Sequence, residues 1–293
     1  MSKLDGFIQE KQQRAEDWKA QKEAEREEMN LMSEDGVVSV TEQPEAYLRY
    51  LEVQADHPQY SASNILLVLA QNPEITQVNS LERWNKLGRT VKREENGLKI
   101  RVSDRYIKDG QEYRGYKVGR VFDVSQTTGK GRLPAKTILA ENTPQMDAAL
   151  RKLLDLSPVK VVTNTTMRSD AFYDSDAQEI SVSSQLTDGQ TFAALAREIV
   201  HARIHNHGQY PYYSREDCKL DADSVSYMLC RSFGVSQNRP DASKIAMLND
   251  GLEPQDRRSV LDNLQQIFRQ MQGDIQKEVA PPEKQPEPRR QTR

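Results

Sequence analysis

TFAALAREIVHARIHNHGQ, residues 191–209, carries a glutamate, Glu198, three positions before a histidine, His201. Residues at this spacing share one face of a helix, and in the zinc motif H-E-x-x-H they are the general base and the second metal ligand. The first histidine of the motif is replaced here by Arg197. Because a guanidinium has no lone pair to give to a metal, the stretch predicts a zinc-protease-like helix with a damaged metal site.

The neighbouring sequence fits such a helix. Two short strands are predicted before it, at 159–163 and within AFYDSDAQEISVS, residues 171–183. A second helix is predicted after it, in which Asp221 and Asp223 stand where a third, acidic ligand is expected. Helices and a small sheet in this order predict an α+β domain.

Three interpretations of the metal site remain open. An active zinc site would use Glu198, His201 and Asp221 with an unusual further partner. A shifted site would use His201 and His205, one helical turn apart, together with Cys218 or Asp221. In the third interpretation no cofactor binds, and an ion pair between Arg197 and Asp221 joins the two helices where the metal would lie. We expect the third, with zinc as the alternative and Glu198 catalytic only if the site is active.

The first half of the chain has a different pattern. Helical spacing of apolar residues gives way to alternation of apolar and polar residues on both sides of Asp109-Gly110. A two-residue Asp-Gly step between alternating segments is a strong hairpin signal. The pattern predicts a domain of helices plus an antiparallel hairpin over 39–135.

Positive charge is concentrated around this hairpin. Residues 83–132 hold 14 Lys or Arg against 6 Asp or Glu, in a chain whose net charge is −3. Aromatic residues interleave with these cations, as in proteins that hold single-stranded nucleic acid. The alternative is that the strands simply present a solvated Lys/Arg face, balanced by acidic segments elsewhere. If nucleic acid binds, we expect phosphate contacts from cations clustered around a turn and a strand: Arg89, Lys92, Arg93, Lys99 and Arg101.

Several motifs of this half occur in a known order. Two stretches resemble the N-terminal domain of ArdC-type antirestriction proteins. They are YSASNILLVLAQNPEITQVNSLERWNKLGRTVKREENGLKIRV (60–102) and YKVGRVFDVSQTTG (116–129). The resemblance covers roughly residues 40–130. It implies a domain that binds single-stranded DNA and belongs to plasmids and other mobile elements. Tyr60, Asn64 and Trp84 fall in the shared motifs and join the expected DNA-binding residues, although Asn64 could equally orient a helix and Trp84 could lie in the core.

The resemblance extends to the second half. The C-terminal domain of that family is akin to ImmA/IrrE-type metallopeptidases, and Glu198 and His201 match its motif. Arg197, and Lys219 at a second acidic position, depart from it and put the metal in doubt. The resemblance therefore implies an antirestriction-type DNA-binding protein with an inactive zincin-like domain. Alternatives are an active zinc-dependent metallopeptidase with a shifted ligand set, and a pure interaction module.

The remaining sequence sets the expected boundaries. Residues 1–38 predict a charged helical or flexible segment, 140–277 the zincin-like domain, and 278–293 a Pro-rich disordered tail. No apolar run approaches the ~20 residues that cross a bilayer, and two cysteines give no disulfide framework. We therefore expect a cytoplasmic protein with single-stranded DNA as its partner, no membrane contact, and a possible protein partner for the C-terminal domain.

Overall fold

Helices begin the chain, and proline separates the first two. Helix α1 (Lys3–Glu42) ends just before helix α2 (Pro44–Asp56), because a proline lacks the N–H that would continue the first helix. Helix α3 (Ala62–Gln71) begins at Ser61, whose side chain accepts a hydrogen bond from the backbone N–H of Asn64. The expected segment of 1–38 is thus part of one helix that runs to Glu42, and its C-terminal third contributes buried residues such as Met29 and Val37.

The structure is a computed structural model. It describes residues 3–108, 111–133, 135–206 and 213–280. The expected turn at Asp109-Gly110 and the expected tail from 281 onward lie outside the described residues. The chain divides into two compact units, one formed by Met1–Pro134 with Arg239–Gln266 and the other by Ala135–Asn238 with Ile267–Arg293.

Short elements follow in the first unit. They are strand β1 (Val78–Asn79), helix α4 (Leu81–Lys86), strand β2 (Thr90–Val91), strand β3 (Leu98–Lys108), strand β4 (Gln111–Asp123) and strand β5 (Thr127–Thr128). Strands β3 and β4 pair antiparallel from Leu98–Val121 to Lys108–Gln111, which confirms the predicted hairpin. We call this pair the ribbon. Strand β1 pairs with β4 on its other side, and β2 pairs with β5.

Two amide side chains of α3 hold the free edge of the ribbon. The side chain of Asn64 donates to the carbonyl of Arg101 at 2.9 Å and accepts from its N–H at 2.8 Å. Gln71 does the same for Lys99, at 2.9 and 2.7 Å. Alternate residues of an edge strand point their N–H and C=O outward. The two amides therefore replace a neighbouring strand and fix the base of the ribbon against the helix.

The second unit contains a three-stranded sheet and two long helices. Helix α5 (Pro144–Leu156) precedes strands β6 (Lys160–Asn164), β7 (Ala171–Asp174) and β8 (Glu179–Ser183). In the sheet order β6-β8-β7, β6 runs parallel to β8 and β7 antiparallel to it. Helix α6 (Asp188–Asn206) and helix α7 (Lys219–Ser232) follow, and α6 packs against α7 as well as against β7 and β8. Helices together with small sheets confirm the expected α+β class.

The C-terminal part differs from the expected domain of 140–277. Helix α8 (Ile245–Leu248) and the start of helix α9 (Pro254–Val279) belong to the first unit. Arg257 explains part of this assignment, because its guanidinium donates to the Glu42 carboxylate at 2.9 Å. The Gln265 side chain likewise donates to the Tyr60 carbonyl at 3.0 Å. These contacts join residues far apart in sequence, which periodicity along the chain does not reveal.

A helix that crosses a bilayer must be both long and apolar. None of the helices in the described ranges combines sufficient length with sufficient apolar character to cross a membrane.

Candidate functional site

Helix α6 carries Glu198 and His201 into the interior of the second unit. Glu198 is 0% exposed and His201 1% exposed. Arg197, one position before the glutamate, keeps 24% of its side chain exposed. The spacing seen in the sequence therefore does bring the acid and the histidine together on the buried face, with the arginine at its rim.

The Glu198 carboxylate is surrounded by donors. One oxygen accepts from the backbone N–H of Tyr173 at 2.8 Å and from Nη1 of Arg215 at 2.7 Å. The other accepts from Nη2 of Arg215 at 2.8 Å and from Nε of Arg197 at 3.0 Å. Burial alone would raise the pKa of this carboxyl, but the Arg215 fork and its charge hold the pKa of Glu198 below its usual value. Glu198 is thus an anion clamped by two guanidinium groups.

The histidines of α6 have tyrosine partners. His201 Nδ1 lies 3.1 Å from the hydroxyl of Tyr213, and His205 Nδ1 lies 2.8 Å from the hydroxyl of Tyr173. The Tyr213 ring also stacks on His205, with ring centroids 4.8 Å apart. Burial lowers the pKa of His201 to about 4, since its positive form would lie in the interior close to Arg215. At neutral pH this imidazole is therefore uncharged.

The expected metal ligands His201, His205 and Asp221 do not form a metal cluster. In the described part of the chain, no group of three or more His, Cys, Asp or Glu side chains is placed to hold a metal ion. Arg197 also departs from expectation, because its second acidic neighbour is Asp223, at 4.0 Å, where we expected Asp221. Burial raises the pKa of Asp223 although Arg197 lies nearby.

Arg215 is the residue that sequence reasoning missed. It precedes α7, outside any periodic pattern, and its guanidinium also lies over the Phe172 ring at 4.8 Å from the ring centroid. No spacing rule relates it to Glu198, 17 positions away. The arrangement places a permanent cation on the carboxylate that would serve as general base in a zinc site, and such a carboxylate has no free lone pairs for proton transfer.

A second candidate site is one face of the ribbon. Directly paired residues share a face, and alternate pairs lie on the same side. We call this side the cationic face. Its cations and its tyrosine are Lys99, Arg101, Arg105, Arg114, Arg120 and Tyr116, and it also carries Ser103, Ile107, Glu112 and Val118. Tyr116 is 66% exposed, and the Arg105 side chain is 70% exposed. An open aromatic ring among cations is an arrangement that suits single-stranded nucleic acid.

Other expected DNA-binding residues are held by neighbouring groups. Arg89 donates to the Thr127 hydroxyl at 2.8 Å and to the carbonyl of Gly131 at 3.3 Å. Lys92 donates to the Ser125 carbonyl at 2.7 Å. Arg93 is exposed. Arg89 and Lys92 therefore tie down the segment around β5, and only Lys99 and Arg101 of the expected set lie on the cationic face.

Three further expected residues lie in or near the core. Trp84 is 0% exposed and donates from Nε1 to the Phe122 carbonyl at 2.8 Å, which is at odds with stacking on a base. Asn64 is engaged with the backbone of β3, so its amide orients the ribbon. Burial raises the pKa of Tyr60, whose backbone carbonyl accepts from Gln265.

The fold was compared with known structures. The Mn(II)-bound crystal structure of antirestriction ArdC protein from plasmid R388 matches with a TM-score of 0.56 and 16% sequence identity, over 86% of this chain and 98% of that one. The chain has an ArdC-type fold. The metal-free crystal structure of the same plasmid protein matches with a TM-score of 0.47 and 19% identity, over 75% of this chain and 85% of that one. No protein-family model and no curated protein sequence matches this chain.

In this chain of ArdC-type fold, Arg215→Gln should destabilise the protein strongly. Glu198 would remain buried without its main counter-ion, and breaking a buried pair on one side costs about 3–5 kcal/mol. Since the Arg215 side chain is 34% exposed, we expect the lower end, about 3 kcal/mol of unfolding free energy, in urea unfolding followed by circular dichroism.

Lys160→Gln is the matched control. It removes a cation from the exposed pair with Glu179 and should cost about 0–1 kcal/mol. The double variant Glu198→Leu/Arg215→Leu should recover most of the stability, because no buried charge is left unpaired. If the Arg215→Gln protein were as stable as the Lys160→Gln protein, the buried pair of Arg215 and Glu198 would not contribute to the stability of the fold.

His201 should make stability depend on pH. Its folded pKa of about 4 lies below the ordinary 6.5, so the unfolded chain takes up a proton first as the pH falls. Stability is therefore full above about pH 6.5 and declines towards pH 4, by up to about 3 kcal/mol.

His201→Gln should remove the decline between pH 6.5 and 4.5. The pKa of Glu198 is also lowered. Its contribution to stability is therefore lost only as the pH falls to the ordinary pKa of a carboxyl group and below it. The measurement is the free energy of unfolding in urea at half-unit pH steps. An identical slope in the two proteins would assign the decline to another group.

Proposed function

We propose that this chain is an antirestriction-type protein of a plasmid or other mobile element, which binds single-stranded DNA through the cationic face of its ribbon. The ArdC-type fold supports the proposal, since the relative with that fold is named an antirestriction protein and comes from a plasmid. The second unit keeps a zincin-like arrangement around Glu198 without using it for peptide hydrolysis.

The pairing of like charges across the ribbon carries the proposal. Lys99 stands directly opposite Arg120, and Arg105 directly opposite Arg114. Like charges directly opposite each other on one face destabilise a sheet. The repulsion within two such pairs opposes folding, and a row of phosphates bound between them would offset it.

Acidic residues compensate only part of this charge. Glu28 of α1 forms an ion pair with Lys99 at 2.6 Å, and Glu112 lies 3.5 Å from Arg105. No ion pair to Arg114 or Arg120 forms among the residues that the structure describes. Arg120 donates instead to the Gly97 carbonyl at 3.0 Å, which leaves its positive charge in place. Exposed Tyr116 lies on the same strand between Arg114 and Arg120. This combination favours a single strand, whose bases are free to stack.

A catalytic metal does not fit the second unit. The similar ArdC structure contains Mn(II), a metal that suits carboxylate and other oxygen ligands. Here the Glu198 carboxylate accepts hydrogen bonds on both oxygens from Arg215, and Arg197 lies beside it. The cations oppose a metal ion at this place, and His201 faces a tyrosine hydroxyl. We therefore derive no metal-dependent step. A protein partner for this unit and a cytoplasmic location stay predictions from the sequence.

Binding to single-stranded DNA should weaken with salt. The logarithm of the affinity falls linearly with the logarithm of the salt concentration, with a slope of about −0.7 for each phosphate that the protein neutralises. Arg105→Gln/Arg114→Gln removes two of these cations, so it should make the slope shallower by about 1.4 and weaken binding alike for all sequences. The measurement is fluorescence anisotropy of a labelled oligonucleotide over a salt series.

Lys160→Gln/Lys277→Gln is the control with the same change in net charge. Both lysines are exposed and lie in the second unit. This variant should leave the slope unchanged. If both double variants weakened DNA binding equally, the effect would come from net charge and not from the cationic face. An affinity that does not change with salt concentration would contradict the proposal.

The protein should purify without stoichiometric zinc or manganese. The measurement is elemental analysis of protein prepared without chelators and after dialysis against each metal. Because Arg215 occupies the carboxylate, added metal should leave the unfolding midpoint unchanged. One equivalent of bound metal that disappears in His201→Ala would overturn the metal-free interpretation.

A further inference from the structure

A pocket of about 380 Å³ lies between α1 and the cationic face of the ribbon. Its volume falls within the usual range of about 300–1,000 Å³ for small-molecule sites. Helix α1 contributes Arg26, Met29 and Asn30, and the ribbon contributes chiefly Arg101, Tyr116 and Val118. All of these residues belong to the first unit, so the pocket is a feature of one compact body.

The lining combines two kinds of side chain. Met29, Val118 and Tyr116 are apolar or aromatic, and Arg26, Arg101 and Lys117 are cationic. A flat apolar ring joined to an anion matches both kinds at once. A nucleotide has this chemistry, because its base stacks on an aromatic ring while its phosphate binds a guanidinium.

Arg101 is positioned in advance. One of its Nη atoms donates to the Asn30 side-chain oxygen at 2.8 Å and lies 3.5 Å from the Met29 carbonyl. Within the described ranges, no carboxylate lies within ion-pair distance of Arg101. Burial, together with the positive charge of nearby Arg258, lowers the pKa of Arg101, and the charge of Glu34 opposes this shift.

The Asn30 amide adds a polar contact for a base. Its oxygen is taken by Arg101, which fixes the amide and leaves the NH₂ group to donate. A donor beside a stacking ring suits the acceptor edge of a base, such as the carbonyl oxygens of thymine. Arg101 thus orients Asn30 as well as supplying charge.

We propose that the α1–ribbon pocket holds one unstacked base of a single strand, with Tyr116 on its face and Arg101 on the adjoining phosphate. This inference rests on the proposed function, since it names where on the cationic face a base is recognised. Phosphate contacts elsewhere on the cationic face form whether or not a base is present, whereas binding in this pocket requires a base.

The test compares two labelled oligonucleotides of equal length, one of thymidines and one with abasic sugars throughout. Both have the same phosphates, and only the first has bases. The full chain should bind the thymidine strand more tightly at fixed salt. Tyr116→Ala should weaken binding of the thymidine strand by roughly 5- to 150-fold and leave binding of the abasic strand unchanged.

Tyr116→Phe and Tyr113→Ala are the controls. The first keeps the ring and should keep the affinity. The second removes a tyrosine on the opposite face of the same strand, three positions away, and should change neither affinity. Thymidine monophosphate in excess should compete poorly, because it lacks the neighbouring phosphates.

The outcomes separate this inference from the proposed function. If the unaltered chain binds neither strand at low salt, both fail. If it binds both strands and Tyr116→Ala weakens them equally, or neither, DNA binding stands and the base pocket is overturned. Strong competition by thymidine monophosphate would make the pocket a nucleotide site unrelated to strands, which also overturns the inference.

Discussion

The second unit depends on the neutralisation of one buried charge. Glu198 is 0% exposed, and an ionised carboxylate in such a place is tolerated only when donors surround it. The donors come from three separate parts of the unit: the backbone of β7, α6 itself, and Arg215 ahead of α7. The carboxylate therefore joins the sheet, the helix and the segment before α7. A bound metal ion holds ligands from several elements together in a similar way.

The same arrangement fixes the geometry around Glu198 through hydrogen bonds and opposite charge. A metal ion offers several coordination positions, some of them open to water, whereas a guanidinium offers donors only. With Arg215 on both carboxylate oxygens, the geometry of α6 can remain while the basic lone pairs are occupied. The two histidines of α6 also have partners within the protein, because the hydroxyl of Tyr213 lies beside His201 and the hydroxyl of Tyr173 lies beside His205.

The sequence predicted those features that depend on local spacing. The helix with Glu198, the ribbon on both sides of its Asp-Gly step, and the α+β class all follow from periodicity. Arg215 could not be predicted, because its contact with Glu198 joins positions unrelated by any repeat. The shared motifs left the roles of Asn64 and Trp84 open between packing and binding. Their contacts favour packing, because the Asn64 amide holds the backbone of β3 and the Trp84 indole donates to the Phe122 carbonyl. The register of the ribbon was needed to place Arg105, Arg114 and Arg120 beside Lys99 and Arg101.

The two units treat positive charge in opposite ways. In the second unit, Arg197 and Arg215 converge on a fully buried acid, so their charge is neutralised within the fold. In the first unit, the ribbon sets cation opposite cation, and much of that charge stays solvated. Repulsion of this kind is tolerated where an external anion relieves it. The charges around Glu198 are thus neutralised within the fold, whereas the ribbon, a plain hairpin by its fold, keeps much of its positive charge exposed to solvent.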